Sequence, residues 1–443
     1  MKVLRLLVIL FIVPSVTFPQ ITSDFVSISD TDFVKNGDKY FFLGTNLWYG
    51  MNLGASDETG DRARLVNELD RLQNLGVHNI RILGSSEGNA DSKYQVLPAL
   101  QISAGEYNEA VWKGLDFLLA EMSKRDMTAV VCLNNFWMWS GGMPKYLSWV
   151  KKQEIPMPDI ERKGSWDEFI SYSLEFFSNK KANELFKEHL NTTINRTNSI
   201  TGITYKNDPT IMAWQLANEP RGYGSPKVYQ KWIRRIARYI KSLDQNHLVS
   251  VGSEGNTGSS RAGVDLYSDN KSKFIDYATV HIWIQNWGWY TPERPATFES
   301  ALKKTTTYLE DQLTKASKLG KPVIVEEFGV SRDRASYDPS ATTQIRDQYY
   351  EYLFSETLSH AQGGGLIKGC NFWSWSGEGR PQNPGGMWKK GHDLIGDPPH
   401  EKQGWYSVYD TDASTIAIIK KYADLFNAIS QKLAANYSTE KEK

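Results

Sequence analysis

Residues 210–220 read TIMAWQLANEP and residues 322–329 read PVIVEEFG, and each stretch is an apolar run that closes on glutamate. Successive side chains of a strand point to opposite faces, so a strand that is apolar on both faces must be covered on both. Parallel sheets flanked by helices provide that environment. The two stretches therefore predict an α/β fold with acidic side chains at the carboxyl edge of its sheet.

Six further stretches have the same character and alternate with helical patterns such as the apolar stripe Leu65, Leu69 and Leu72. The eight predicted strands are FFLGTN from Phe41, HNIRILG from His78, TAVVCLNN from Thr128, TIMAWQLANEP from Thr210, LVSVGSEG from Leu248, YATVHIW from Tyr277, PVIVEEFG from Pro322 and GCNFWSWS from Gly369. Eight alternating βα units predict a (β/α)8 TIM barrel.

The chain has 443 residues, which is long for one barrel, yet no Ser/Gly/Pro linker or internal repeat divides it. The surplus falls in loops that follow strands, above all in residues 136–209 and 377–403, and such loops carry the active site of a barrel. Asn36-Gly37 predicts a small N-terminal hairpin. We therefore predict one catalytic domain over residues 21–431 and a C-terminal tail over 432–443.

The N-terminus has the features of a secretory signal peptide. Lys2 and Arg5 precede an apolar run from Leu6 to Val13, which is too short to span a bilayer. We expect residues 1–20 to be removed and the mature chain to work outside the cytoplasm, in the extracellular or periplasmic space. An uncleaved N-terminal membrane anchor is the alternative interpretation.

The composition excludes several classes of partner. Lys and Arg total 51 and Asp and Glu total 51, so the chain lacks the basic excess that nucleic acid or an anionic membrane requires. The seven His residues show no close metal-ligand spacing, and no P-loop or GxGxxG motif occurs. We expect a monomer that needs no metal and no cofactor. Cys132 and Cys370 fall on strands that are not neighbours, which predicts two reduced thiols.

Glu219 and Glu327 are the strongest chemical signal. They end the fourth and seventh predicted strands, and in a closed barrel these positions face each other across one cleft. Two carboxylates in that arrangement suit glycoside hydrolysis, in which one carboxyl group donates a proton and the other stabilises or attacks the sugar. Rim salt bridges are the alternative for any single glutamate.

WxxxNEP from Trp214 to Pro220, together with EFG from Glu327, resembles glycoside hydrolase family 5 over nearly the whole mature chain. The resemblance implies that Glu219 is the general acid/base and Glu327 the nucleophile of a retaining enzyme. It also implies that Arg81 lies beside the nucleophile and that Asn218 contacts the sugar 2-hydroxyl. Because neighbouring strand residues alternate faces, we expect Glu326 to point away from the cleft.

The same resemblance implies that His281 lies near the acid/base and that Trp373 forms the floor under the sugar, with Trp375 as the alternative floor. The chain departs from the family at two places. Trp283 stands where many members have a tyrosine, and we expect its indole N–H to reach Glu327. Asn134-Asn135 replaces a common histidine, and Asn135 is our candidate sugar contact.

The tryptophan-rich loops NNFWMWSGG and HIWIQNWGW resemble the mannan-degrading branch of the family. Sugar rings stack on flat aromatic surfaces, and the candidates for further subsites are Trp48, Trp137, Trp287 and Trp388. The favoured function is a secreted mannan endo-1,4-β-mannosidase that acts on mannan, glucomannan or manno-oligosaccharides. Alternatives are an exo-acting β-mannosidase, an endo-β-1,4-glucanase and a non-catalytic carbohydrate-binding barrel.

Overall fold

A computed structural model describes residues 24–89, 92–161, 163–257 and 260–441. The predicted signal peptide, residues 1–20, lies outside the described residues. Within those ranges, no helix combines the length and the apolar character that crossing a bilayer demands.

The core of the molecule is an eight-stranded parallel barrel, which confirms the predicted (β/α)8 fold. Its hydrogen-bonded order is β5-β4-β3-β2-β1-β8-β7-β6, and isolated bonds close the ring, including one from the Asp276 N–H to the Val249 carbonyl at 2.8 Å. The strands are β1 Phe42–Asn46, β2 Asn79–Leu83, β3 Thr128–Cys132, β4 Ile211–Gln215, β5 Leu248–Ser250, β6 Ala278–Ile282, β7 Val323–Phe328 and β8 Ile367–Phe372.

Helices surround the barrel and fill its longer loops. In the described chain they are α1 Gly50–Leu53, α2 Arg62–Asn74, α3 Glu109–Ser123, α4 Gly142–Lys151, α5 Asp167–Leu174, α6 Lys180–Ile194, α7 Pro226–Leu243, α8 Leu266–Asn270, α9 Thr297–Leu319, α10 Gln344–Gln362 and α11 Ala413–Lys441. The segment predicted as a tail therefore begins inside α11. No glycine or proline interrupts the chain there, so nothing in the sequence ends the helix earlier.

A small antiparallel sheet of Ser27–Ser29, Asp32–Lys35 and Asp38–Lys39 closes the amino-terminal end of the barrel. Its turn has positive φ at Asn36 and Gly37, 54° and 90°, as the predicted hairpin requires. The ring of Phe33 is fully buried and lies 5.4 Å from that of Tyr277, just before β6. Access to the barrel is therefore from its carboxyl end.

The long connection after β8 is fixed to the barrel by hydrogen bonds to α2. We call residues 378–403 the β8 insertion; it lies between the paired strands Trp375–Gly377 and Val408–Tyr409. On the α2 side, Arg64 Nη2 donates to the Leu394 carbonyl at 2.8 Å, and buried Glu68 accepts from the Glu378 N–H at 2.8 Å. These bonds to a barrel helix fix the insertion in place.

A buried ion-pair cluster fixes the chain just after the insertion. The Asp412 carboxylate accepts from Arg332 Nη2 at 2.6 and 2.8 Å and from Arg346 Nη1 at 3.3 Å. All three side chains are at most 3% exposed. The cluster thereby joins the return of the insertion to the loop after β7 and to α10.

The two cysteines are buried and unpaired, as predicted. Cys132 is on β3 and Cys370 on β8, and β1 and β2 lie between these strands in the barrel. Burial raises the pKa of each thiol to about 12, so both are unreactive core groups.

Candidate active site

Three ionisable side chains converge at the carboxyl end of the barrel. His281, on β6, places Nδ1 2.8 Å from Glu219 Oε1 and 3.3 Å from Glu327 Oε2. An oxygen of Glu219 and an oxygen of Glu327 lie within 4.8 Å of each other. The two carboxylates that we singled out from the sequence therefore face one another across a short gap.

Glu219 occupies an unusual backbone conformation just beyond β4. Its φ is 46°, in the left-handed region that non-glycine residues seldom adopt. The Glu219 N–H donates to the Gly252 carbonyl at 2.9 Å, which holds the conformation. Strained residues of this kind concentrate at functional sites, where the surrounding structure compensates their cost.

Arg81, on β2, hydrogen-bonds both to Glu327 and to Asn218, the residue before Glu219. Its Nη1 donates to Glu327 Oε1 and its Nη2 donates to Asn218 Oδ1 at 2.8 Å. Burial alone would lower the pKa of Arg81, but the charges of Glu326 and Glu327 raise it above its ordinary value. A permanent cation therefore neutralises Glu327 and orients the asparagine beside Glu219.

Several donors surround the Glu219 carboxylate. The indole N–H of Trp137 donates to its Oε2 at 2.8 Å, and that of Trp283 donates to its Oε1 at 3.3 Å. Burial raises the pKa of Glu219, but the bond and charge of His281, the charge of Arg221 and the Trp137 bond together lower it to about 2. We expected Trp283 to reach Glu327; the structure corrects this, because the side chain turns to the β4 side of the cleft.

A β-bulge explains why the two consecutive glutamates of β7 both point into the barrel. Pairing with β6 shifts between Val280 and His281, so Glu326 is an extra residue in the strand. The alternation that we assumed is broken, and both carboxylates reach the inside of the barrel. Glu327 lines the pocket, whereas Glu326 lies beneath it, 1% exposed.

The carboxylates open into a cavity of about 400 Å³ with aromatic walls. Six tryptophans line it: Trp137, Trp139, Trp166, Trp283, Trp287 and Trp373. Trp375 is behind this surface, where its indole N–H donates to Glu68 Oε2 at 2.9 Å. Of the two candidate floor residues, Trp373 is therefore the one that faces the cavity.

Three sequence-based assignments are corrected by the structure. Trp48 and Trp388 do not line the cavity: each donates its indole N–H to backbone carbonyls of the β8 insertion, Trp48 to Gly396 at 2.8 Å. Asn135 is fully buried behind Asn218, whose Nδ2 donates to Asn135 Oδ1 at 3.2 Å. These side chains support the site from outside it.

Sequence reasoning missed a partly buried ion pair beside Glu219. Arg221 donates to both carboxylate oxygens of Glu254, from Nε at 2.5 Å and from Nη2 at 2.7 Å. Its guanidinium also covers the Trp137 ring, 4.8 Å from the centroid. A signal was present, because Glu254 follows β5 much as Glu219 follows β4, at the same rim.

The β8 insertion supplies the remaining wall. The His400 ring stacks on Trp139, with centroids 6.3 Å apart and planes 8° apart, and Pro398 and Glu401 complete this side. Among the described residues, Glu401 Oε2 has no hydrogen-bond partner. Burial and the nearby charges of Asp397, Glu327 and Glu219 raise the pKa of Glu401 well above its ordinary value. A residue that lines the cavity thus has one carboxyl oxygen without a hydrogen-bond partner among the described residues.

The donor atoms of Glu219, His281 and Glu327 are close enough to bridge a divalent cation. The positive charge at this position is already supplied by the side chains, because Arg81 is paired with Glu327 and Arg221 lies close to Glu219. We therefore interpret the trio as a proton-transfer site.

A family model described as GH family 5 beta-mannosidase-like matches residues 23–431. The chain belongs to glycoside hydrolase family 5. Mannan endo-1,4-beta-mannosidase 1 of Arabidopsis thaliana is 30% identical over 369 residues, which cover 80% of this chain and 82% of that protein. The crystal structure of a glycoside hydrolase family 5 mannosidase from Rhizomucor miehei is 39% identical, has a TM-score of 0.85 and covers 92% of this chain and 99% of that one.

A second structure of the Rhizomucor miehei mannosidase, that of a mutant in complex with mannosyl-fructose, has a TM-score of 0.86 at 39% identity; it covers 92% of this chain and 99% of that one. The family, the fold and these relatives identify this chain as an enzyme, which rules out the non-catalytic barrel considered from the sequence. This family 5 glycoside hydrolase presents its two carboxylates in an aromatic pocket, as a sugar-cleaving site requires.

Proposed function

We propose that the enzyme is a retaining β-mannosidase in which Glu327 is the nucleophile and Glu219 the acid/base. In the first step a Glu327 oxygen bonds to the anomeric carbon, the glycosidic bond breaks, and the proton of Glu219 passes to the leaving oxygen. In the second step Glu219 takes a proton from water, whose oxygen displaces Glu327 from the anomeric carbon.

The separation of the carboxylates carries this proposal. Retaining enzymes hold their two carboxyl groups about 5 Å apart, whereas inverting enzymes need a wider gap for a water molecule. One oxygen of Glu219 lies within 4.8 Å of one oxygen of Glu327, which fits the narrow gap of a retaining enzyme. Asn218 lines the pocket and is oriented by Arg81, which suits a contact with the sugar 2-hydroxyl.

We infer a β-mannoside substrate from the relatives and from the pocket. The similar proteins carry the names mannan endo-1,4-beta-mannosidase and mannosidase. The six tryptophans favour neutral sugar rings, which stack on aromatic faces and need few charges for recognition. Mannan, glucomannan and manno-oligosaccharides fit this description, and an endo-β-1,4-glucanase is the competing assignment.

The shape of the pocket favours attack from a chain end over the endo action that we favoured from sequence. The sugar to be transferred must lie at Glu327 and Trp373, and the insertion residues His400 and Glu401 form a fixed wall of the same pocket. The leaving group lies towards Glu219, where Trp137 and Trp166 line the cavity. A volume of about 400 Å³ suits one or two sugar rings.

The time course of products from mannohexaose tests the mode of action. An exo-acting enzyme releases mannose and mannopentaose in the first minutes. Mannobiose, mannotriose and mannotetraose appearing together from the start would instead establish the endo activity. Cellohexaose, cut at a comparable rate under the same conditions, would overturn the mannoside assignment in favour of the glucanase.

We further propose that the enzyme is secreted and monomeric. The charged and apolar pattern of residues 1–20 supports secretion, and the balance of 51 basic and 51 acidic side chains gives no indication of a nucleic-acid or membrane partner. N-terminal sequencing of protein recovered from culture medium tests the first point. Light scattering on the purified enzyme tests the second.

A further inference from the structure

Glu326 is a buried carboxylate directly beneath the reacting groups, and the catalytic steps above do not use it. Its oxygens lie 2.8 and 2.9 Å from Gln215 Nε2, on β4. Its Oε2 is also 3.4 Å from His281 Nε2, on β6, and 3.5 Å from Arg81 Nε, on β2. One carboxylate therefore joins three strands of the barrel under the site.

The hydrogen bonds of this cluster have a fixed direction. Arg81 Nε–H donates to Gln215 Oε1 at 2.8 Å, and a guanidinium can only donate. The amide oxygen of Gln215 is thereby committed to Arg81, so its NH₂ group must face Glu326. Glu326 accepts that donor with both oxygens, which is the role of an ionised carboxylate.

The direction continues into His281. Glu326 Oε2 lies 3.4 Å from His281 Nε2 and, as an ionised oxygen, can only accept. Nε2 must therefore carry a proton to donate. The other ring nitrogen, Nδ1, faces Glu219 Oε1 and Glu327 Oε2 and is the atom that can gain or lose a proton. We propose that Glu326 is a positioning residue that fixes His281 as the Nε2–H tautomer, so that Nδ1 shares a proton with Glu219.

This inference rests on the proposed role of Glu219 as the acid/base. Before the first step Glu219 must hold a proton, and the 2.8 Å contact lets that proton be shared with Nδ1. If Nδ1 carried a permanent proton, neutral His281 could only donate to Glu219 and could not exchange with it. By holding the proton of neutral His281 on Nε2, Glu326 leaves Nδ1 able to exchange a proton with Glu219.

The charged and titratable groups that face this pair come from six strands or the residues that flank them. His281 is faced by Glu219, Glu254, Glu326 and Glu327, and Glu326 is faced by Arg81, His281, Cys132 and Tyr277. Burial lowers the pKa of His281, but the Glu327 charge and its bonds to the three carboxylates raise it well above 6.5. Removing one carboxylate charge must therefore make the shared proton easier to lose.

Nitrogen-15 NMR of the histidine rings in the full-length enzyme measures the tautomer directly. The His281 signal is assigned as the one that disappears in His281→Asn. We expect neutral His281 to carry its proton on Nε2 in the wild type. Neutral His281, observed above the pKa of its ring, with its proton on Nδ1 instead of Nε2 would overturn the proposal, whether or not the enzyme cleaves mannosides.

The variant Glu326→Gln keeps the size of the side chain and removes its charge. With Gln215 still committed to Arg81, the new amide turns its oxygen to Gln215 and its NH₂ to His281, so the tautomer should switch to Nδ1–H. The basic limb of the kcat/KM profile on mannobiose should move down by about one pH unit or more, since a charge at this distance is lost. An unchanged tautomer, or a switched tautomer with an unmoved limb, would refute the proposal.

Two controls separate positioning from general damage. Glu326→Asp retains the charge and should keep the wild-type tautomer and a basic limb within about 0.3 pH unit; a limb shifted as far as in Glu326→Gln would contradict us. Glu121→Gln alters another buried glutamate, 7% exposed on α3 and away from the pocket, and should leave the profile unmoved. Thermal unfolding of each variant establishes that it is folded.

Discussion

The replacement Trp137→Phe isolates one hydrogen bond to Glu219, the proposed acid/base. The indole N–H donates to Glu219 Oε2 at 2.8 Å, and phenylalanine retains an aromatic ring for Arg221 to cover. The bond favours ionised Glu219, so its loss raises the pKa of that carboxyl group. It also withdraws stabilisation from the carboxylate that forms as the proton leaves.

The size of the effect follows from the geometry. A hydrogen bond to a charged acceptor contributes about 1.5–3 kcal/mol, and the lower end applies here because Oε1 keeps its hydrogen bonds with His281 and Trp283. At about 1.36 kcal/mol per unit, the pKa of Glu219 should rise by about one unit. The same loss in the transition state lowers kcat/KM by about tenfold.

Two substrates and one matched variant provide the assay. Mannobiose has a poor leaving group and needs the acid, whereas 2,4-dinitrophenyl β-mannoside needs it little in the first step, so kcat/KM should fall about tenfold only for mannobiose. Trp287→Phe changes a pocket tryptophan that has no hydrogen bond to Glu219 or Glu327 among the described contacts, and it should affect both substrates alike. An equal loss on both substrates in Trp137→Phe, or none, would refute the reasoning.

Three further predictions concern the proposed nucleophile, the ion-pair cluster just after the β8 insertion, and a buried histidine. Glu327→Ala should reduce kcat by at least about 10³-fold while a manno-oligosaccharide still binds, as measured by calorimetry; retained turnover would remove the nucleophile assignment. Asp412→Ala strands two buried arginines and should cost about 3–5 kcal/mol in denaturant unfolding, whereas Asp424→Ala, at an exposed pair with Lys420, should change little. Burial lowers the pKa of His189 to about 4 from 6.5, so the unfolded chain binds the extra proton first and stability falls from pH 7 to pH 4 by about 3 kcal/mol. His189→Phe should remove that part of the pH dependence, and an unaltered slope would show that His189 is not its source.

The barrel and its two carboxylates could be predicted because both depend on local pattern. Apolar runs bounded by helical stripes mark buried parallel strands, and the carboxyl ends of such strands meet at one rim. Glu219 and Glu327 therefore had to approach each other once the strands were recognised. The bulge that turns Glu326 inward could not be read in this way, because strand alternation assumes a regular register.

The details that escaped prediction depend on how loops pack on one another. Trp48 and Trp388 look like subsite residues in the sequence, yet each holds the backbone of the β8 insertion. His400 and Glu401 form a wall only because that insertion folds back over the barrel mouth onto Trp139. Contacts between segments so distant in the chain leave no periodic signal in either one.

The anchoring of the β8 insertion also bears on the thermodynamics of binding. Arg64, Glu68 and Trp48 hold its backbone through hydrogen bonds that need no ligand. The entropy of ordering this segment is therefore lost when the protein folds, and an arriving saccharide does not have to compensate for it. Association with a short sugar should accordingly be fast and should show only a small change in heat capacity beyond that of the surface it covers.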